Sequence, residues 1–256
     1  MLKKERQDAI AELVNQESFA SVKAISKRLD VSEMTVRRDL EDLSADGRLT
    51  RVHGGARSLL GSRGLVMPRE FTTAEKHRLH MAEKGKIARE AAKLIMPNQT
   101  IYLGPGTTCE ALAREISGLD VRIITNSLLI FEAIREMEGP EVILIGGDYR
   151  ASVGSFVGGL AERMVELVGI DKAFVGANGI FGGKIWGSNT IEGNFLRIAL
   201  NSATERYVLV DSSKIGRRDF YGFYDLIETD ALVTDSLIAE EDMATLGQLT
   251  QVLRTN

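Results

Sequence analysis

Five short stretches share one chemistry: glycine and hydroxyl side chains, joined in places by a cation, at the end of an apolar run. Leu103-Gly104-Pro105-Gly106-Thr107-Thr108 turns through two glycines and offers backbone N–H groups and two hydroxyls at the start of a predicted helix. Such a turn favours an anion, and a phosphate above all. Thr125-Asn126-Ser127 repeats the idea, and Gly146-Gly147-Asp148-Tyr149-Arg150 adds a guanidinium. Gly176-Ala177-Asn178-Gly179 adds an amide, and Asp211-Ser212-Ser213-Lys214 an amine with more hydroxyls. Each alone is ordinary turn chemistry. Five of them on one edge of a sheet would make a phosphate-binding surface.

A second chemistry lies near the start, in Ser32-Glu33-Met34-Thr35-Val36-Arg37-Arg38-Asp39-Leu40. Ser32 can cap a helix whose first two turns carry Met34, Thr35, Arg37 and Arg38, the positions from which a helix in the major groove meets base edges and phosphates. Val36, Leu40 and Leu43 fall at three- and four-residue spacing and pack inward. The plain alternative is an amphipathic surface helix bearing two arginines. Asp39 reads as structural, because a carboxylate facing phosphates is repelled, whereas one folded onto a neighbouring arginine orients it.

The elements that must position these residues follow from periodicity. Ile10, Leu13 and Val14 mark a first helix over residues 5–16, with a break at residues 18–21. Ser21 caps a second in which Val22, Ile25 and Leu29 share a face, and Asp30-Val31 turns the chain into the third. Leu49 to Arg57 alternates and turns at Gly54-Gly55, which predicts a β-wing presenting Arg51, His53 and Arg57 to phosphates or the minor groove. Residues 58–73, with Gly61, Gly64 and Pro68, read as a linker. A long helix is expected from about Ala74 to Met96. His77 and His80 on it are spaced for a metal pair, but no nearby carboxylate or cysteine completes a ligand set, and no metal is expected.

Beyond Pro97, apolar strands near residues 100–103, 121–124, 142–145, 173–175, 207–210 and 231–234 alternate with helices near 107–117, 127–137, 160–168, 191–203 and 239–249. Such alternation indicates a mainly parallel sheet covered on both faces, with ligands bound at the carboxyl ends of its strands. The fold class is α/β, divided as residues 1–57, a linker 58–73 and residues 74–256.

Bulk properties narrow the class. The 256 residues are 44% hydrophobic and 27% charged, which fits an ordinary soluble globular protein. No apolar run approaches a membrane span and the N-terminus lacks a signal-peptide core, so a cytoplasmic protein is expected. The single cysteine, Cys109, excludes an internal disulfide framework. It reads as a buried small apolar residue rather than a redox thiol. A net charge of −4 argues against indiscriminate nucleic-acid binding, yet residues 48–93 are locally basic.

These motifs carry a resemblance. Ser32-x-x-Thr35-Val36-Arg37-Arg38-Asp39-Leu40 followed by Leu49-x-Arg51-x-His53-Gly54-Gly55-Ala56 resembles the winged helix-turn-helix of the DeoR family of bacterial sugar-catabolism repressors. The C-terminal domain of that family is similar to sugar-phosphate isomerases and senses a phosphorylated sugar. Gly104 to Thr108, Glu192 and Asp211 to Lys214 stand where its motifs fall. The resemblance implies that Thr35, Arg37 and Arg38 contact double-stranded operator DNA. It also implies an effector site at Gly104, Gly106, Thr107, Thr108, Glu192, Asp211 and Lys214, with no cofactor, and the chemistry of the other strand-end loops adds Asn126, Ser127, Arg150 and Asn178 to it. One departure is Gly193, where alanine is expected after the glutamate, and it bears on the pose of Glu192. Trp186 and Tyr224 could stack on a sugar, but single aromatics are more often core or rim, and they stay outside the predicted site.

Two functions fit: a ligand-controlled repressor, or a sugar-phosphate isomerase carrying a DNA-binding domain. An isomerase needs a base and an enediolate-stabilising partner, roles open to Glu192, Asp211 and Lys214. The isomerases resembled carry Asp-Gly-Ala-Asp where this chain has Val175-Gly176-Ala177-Asn178, without either carboxylate. A non-enzymatic sensor is therefore the expectation. One winged unit covers few base pairs, so a homodimer or homotetramer is expected.

Overall fold

The computed structural model of the chain describes residues 3–17, 19–52, 54–58, 73–77 and 79–256. They fall in two compact units, Met1–Gly64 and Leu65–Asn256. The first runs α1 (Lys3–Glu17), β1 (Phe19–Ser21), α2 (Val22–Leu29), α3 (Glu33–Ala45), β2 (Leu49–Val52) and β3 (Gly55–Ser58). Ser21 Oγ accepts from the Ala24 amide and Ser32 Oγ from the Thr35 amide, both at 3.1 Å, so serine hydroxyls cap α2 and α3. Asp30, in a left-handed conformation, ends α2 and turns the chain. Ile10, Val14, Ile25, Val36, Leu40, Leu43 and Leu49 form the core.

β2 and β3 are the antiparallel wing, but the sheet has three strands in the order β1-β3-β2. Residues 18–21, expected as a break, contain β1. Three residues carry no periodicity, and only pairing with Ala56 and its neighbours makes them a strand. The predicted linker lies mostly outside the described residues, which resume at Thr73.

The second unit begins with α4 (Thr73–Lys76), α5 (Met81–Ala92), β4 (Thr100–Leu103), α6 (Thr107–Glu115), β5 (Arg122–Thr125), α7 (Leu128–Ile134) and β6 (Glu141–Leu144). It continues with β7 (Asp148–Arg150), β8 (Ser155–Val157), α8 (Gly159–Glu166), β9 (Ile170–Gly176), β10 (Gly179–Phe181), β11 (Lys184–Gly187) and α9 (Thr190–Asn201). It ends with β12 (Ala203–Leu209), β13 (Tyr221–Asp225), β14 (Ala231–Thr234), α10 (Glu240–Leu246) and β15 (Gln251–Arg254).

Seven strands form one parallel sheet in the order β15-β14-β12-β9-β4-β5-β6. Alternate residues feed two cores. Ile101, Leu103, Phe174 and Leu209 face α5, α6 and α7, while Tyr102, Ala173, Val175 and Val208 face α8 and α9. Cys109, fully buried, sits in the first of these with its Sγ 3.6 Å from the Phe174 carbonyl. From β4 the chain lays β5 and β6 on one side and then returns to lay β9, β12, β14 and β15 on the other. The switch point is therefore the gap between β4 and β9.

The helix expected over residues 74–96 is instead two, separated at His80, whose φ is +53°. Lys84 Nζ donates to the carbonyls of Lys76 and Leu79, at 2.7 and 2.6 Å, replacing amides that a continuous helix would have supplied. A small antiparallel sheet of β10, β11 and β13 and a β7-β8 hairpin were not expected either. No described helix is long and apolar enough to cross a membrane.

Candidate functional site

Two surfaces carry the residues singled out by chemistry. On α3, Met34 is 73% exposed, and Arg37 and Arg38 project into solvent beside it. Arg37 stands 3.6 Å from Glu33, both half-exposed, a weak pairing that a phosphate or a guanine edge can displace. Thr35 Oγ1 lies 2.9 Å from Ser32 Oγ, so both hydroxyls sit at the first turn. Arg51 on β2 pairs with Glu41. His53 and the Arg57 side chain lie outside what is described. Asp39 is structural but does not orient an arginine of its own helix. It is buried and accepts from Arg6 Nε at 2.6 Å and Nη2 at 3.3 Å, which ties α1 to α3 and fixes the exposed face.

The other surface is a cleft at the carboxyl ends of β4, β9 and β12, where the switch point places it. Its walls include Gly106, Thr107 and Thr108 at the start of α6, Gly176 to Asn178 after β9, and Asp211 and Lys214 after β12. No side chain caps α6, and Gly106, at φ +132°, has open space where a Cβ would stand. An anion can therefore approach the first amides of that helix directly. Asp211 caps the short turn Ser212–Lys214 by accepting from the Ser213 amide at 3.2 Å and from its hydroxyl. That turn holds Lys214 at the cleft, where its amine makes no hydrogen bond with a described residue.

Burial and mutual charge set the electrostatics. Burial pushes the Lys84 amine down to about 8, with Asp211 opposing, and Lys84 is also in the cleft wall. Burial likewise lowers Lys214, again against Asp211. For Asp211, burial works against the charge, but Lys214, His80, the Ser213 bond and Lys84 together hold its carboxyl below the ordinary value. The Lys84, Lys214 and Lys76 amines and the start of α6 thus line one space together with Asp211.

Glu192 lies on the opposite wall. Asn189 caps α9 by accepting from the Glu192 amide at 2.9 Å and donates to its carboxylate at 3.0 Å, and Arg150 stands 3.3 Å away. Gly193 explains its own departure, because a Cβ there would lie 2.5 Å from Tyr221 Cδ1 and 2.9 Å from Phe223 Cβ. β13 crosses α9 so closely that alanine does not fit.

Four of the predicted residues are not among the cleft's described walls. Gly104 gives its amide to Phe174 O, and a Cβ there would stand 3.3 Å from Leu196 Cδ2. Asn126 accepts from Tyr102 Oη and donates to Phe156 O, both at 2.8 Å, which joins β4, β5 and β8. Ser127 caps α7, and Arg150 stands behind the cleft wall, beside Glu192. Conversely, Thr73, Lys76, Lys84 and Trp186 line the cleft without having been predicted. A signal existed for Lys84: it shares the inward stripe of Ile87, Ala88 and Ala91, where a lysine is out of place. His77 and His80 are not on one helix. A carboxylate the sequence did not reveal, Glu110 of α6, lies 3.0 Å from His77 Nε2.

Comparison with known proteins matches residues 6–60 to the DeoR-like helix-turn-helix domain and residues 79–236 to the DeoR C terminal sensor domain. The chain is 39% identical over 255 residues to the lactose phosphotransferase system repressor of Streptococcus mutans, covering 99% of this chain and all of that one. It is 39% identical over 259 residues to the protein of that name from Lactococcus lactis, with full coverage of both. Among solved structures, ribose 5-phosphate isomerase A from Methanocaldococcus jannaschii overlays 52% of this chain and 53% of its own at 24% identity, with a TM-score of 0.39.

Proposed function

The chain belongs to the DeoR family, and from that membership we propose that it is a cytoplasmic repressor of a sugar-catabolic operon. α3 reads double-stranded operator DNA through Met34, Thr35, Arg37 and Arg38, with Ser32 fixing its first turn and Arg51, His53 and Arg57 of the wing on phosphates or the minor groove. A phosphorylated sugar in the cleft controls that binding. The names of the repressors it resembles make the lactose phosphotransferase system the first target to test, and we propose tagatose 6-phosphate or a related sugar phosphate as the first effector to try. The observation that carries the reading is the Lys214 amine, without a hydrogen bond among the described residues, at the cleft beside a start of α6 that none of their side chains caps. Glu192, on the far wall, suits sugar hydroxyls.

The cleft binds without turning its ligand over. Where an isomerase needs a carboxylate, Asn178 presents an amide already bonded to Lys76 and Asp219. Two copies act together on paired half-sites as a homodimer or homotetramer. Leu160, Met164 and Leu167, exposed along one face of α8 from its first turn to its C-cap, support self-association.

A thermal-shift panel of sugar phosphates identifies the effector, and fluorescence anisotropy on operator DNA then tests control. Millimolar effector should weaken wild-type binding by about 5–150-fold, the usual range of such coupling. Lys214→Ala should bind operator normally and ignore the effector. Wild-type midpoints for that variant would put the sensor site elsewhere. Isomerase turnover abolished by the same substitution would make the protein an enzyme.

A further inference from the structure

α4 is four residues long, too short to persist as a helix unaided, and Thr73 is the first described residue after the wing. Its position is set by bonds to its surroundings. Toward the cleft, Thr73 Oγ1 donates to the Val153 carbonyl at 3.2 Å and Lys76 Nζ to Asn178 Oδ1 at 3.0 Å. All four of these residues line the cleft. Behind it, Lys84 Nζ holds the carbonyls of Lys76 and Leu79, and Glu110 holds His77. The segment by which the chain enters the sensor unit is thus also a wall of its ligand cleft.

We propose that α4 is a clasp whose seating reports the occupancy of the cleft to the DNA-binding unit, with Lys76 the ligand-responsive contact. The inference rests on the reading of the cleft as a sugar-phosphate site. An ammonium bonds more strongly to an anionic oxygen than to a neutral amide. Lys76 is also near enough to Lys214 for their like charges to act on one another, so an anion between them satisfies both. Ligand entry therefore exchanges the Lys76–Asn178 bond for one to the ligand, while Asn178 keeps Asp219 and turns its oxygen to a sugar hydroxyl. The clasp unseats from Asn178, and with it Thr73, the residue at which the described sensor unit begins. Breaking the bond by substitution should imitate the ligand.

The test needs no effector. Lys76→Met keeps the aliphatic stem and removes the donor; Thr73→Val keeps the shape and removes the hydroxyl. Lys93→Met, at the exposed end of α5, is the control. The full-length variants are compared on a duplex that the wild-type chain has selected from a random pool, with hydrogen exchange followed over residues 73–92. Lys76→Met and Thr73→Val should exchange faster in that segment and bind the duplex at least 5-fold more weakly, with the unfolding midpoint of each unit unchanged. Lys93→Met should match wild type. Duplex affinity within twofold of wild type in both clasp variants overturns the clasp and leaves the functional reading standing. A wild-type chain that selects no duplex overturns the functional reading, and the clasp falls with it.

Discussion

The two units carry their functional charges on opposite terms. In the winged unit the cations lie outside the structure that holds them: Arg37 and Arg38 are exposed, and the fold is fixed by the core beneath and by Arg6 and Asp39 behind. In the sensor unit the charges belong to the core, with Lys84 only 4% and Asp211 only 2% exposed. An exposed charge can change its target without cost to folding. A buried one ties folding to its protonation and its partners, since its desolvation is offset only by the groups packed against it, as Lys84 is by two carbonyls and Asp211 by Ser213.

The largest expected effect tests the buried side. The Lys84 amine sits at about 8 in the folded protein against its ordinary 10.5, so between those pH values the unfolded chain binds more protons than the folded one. The sensor unit should therefore gain stability as pH rises from about 8 to 10.5, by on the order of 3 kcal/mol, and Lys84→Met should lack that gain. Urea unfolding followed by the fluorescence of Trp186, the one tryptophan of the chain, measures it. A pH-independent difference between wild type and variant would break the comparison.

Gly193→Ala comes next. Its Cβ collides with Tyr221 and Phe223, and overpacking of this kind costs about 1–3 kcal/mol. The loss should appear in the sensor unit alone. A stable variant would mean that β13 moves away from α9 at little cost.

The exposed side predicts a separation. Arg37→Ala and Arg38→Ala should each cost about 1–3 kcal/mol of operator affinity if they read a base, with relaxed specificity at one position, or flatten the salt dependence if they hold a phosphate. Neither should shift the unfolding midpoint, and a shift would show that these arginines also serve the fold. Ser32→Ala should have the smallest effect, about 1 kcal/mol of winged-unit stability from the lost cap, seen by circular dichroism.

What the sequence revealed follows the same division. The winged unit was legible because its signals are local: a serine cap, inward residues at helical spacing, a glycine pair at the wing. Six of the seven strands of the parallel sheet were legible from their apolar runs, although β9 and β12 begin earlier than those runs because polar residues such as Lys172 and Glu205 extend them at the outer end. The edge strand β15, Gln251–Arg254, was not expected, because its two apolar residues lie between two exposed polar ones and only pairing with β14 makes it a strand. The cleft was half legible. Its strand-end loops announced themselves, but Thr73, Lys76 and Trp186 come from elements that only tertiary contacts define. β11 is four residues ending in glycine, with an irregular register at Trp186 itself. Asn126 and Ser127 have the composition of a ligand loop and the bonding of a brace, a difference composition does not record.

Cys109 turns the packing of α6 into a clock. It is the only thiol in the chain, it is sealed against β9, and burial raises its pKa to about 12, so a maleimide meets a thiolate only when the helix lifts from the sheet. The labelling rate counts those openings one molecule at a time and is silent about the winged unit. Because Thr107 and Thr108, two residues and one residue before Cys109, lie in the wall of the cleft, whatever binds there lengthens the interval between ticks by the factor of its own stabilisation.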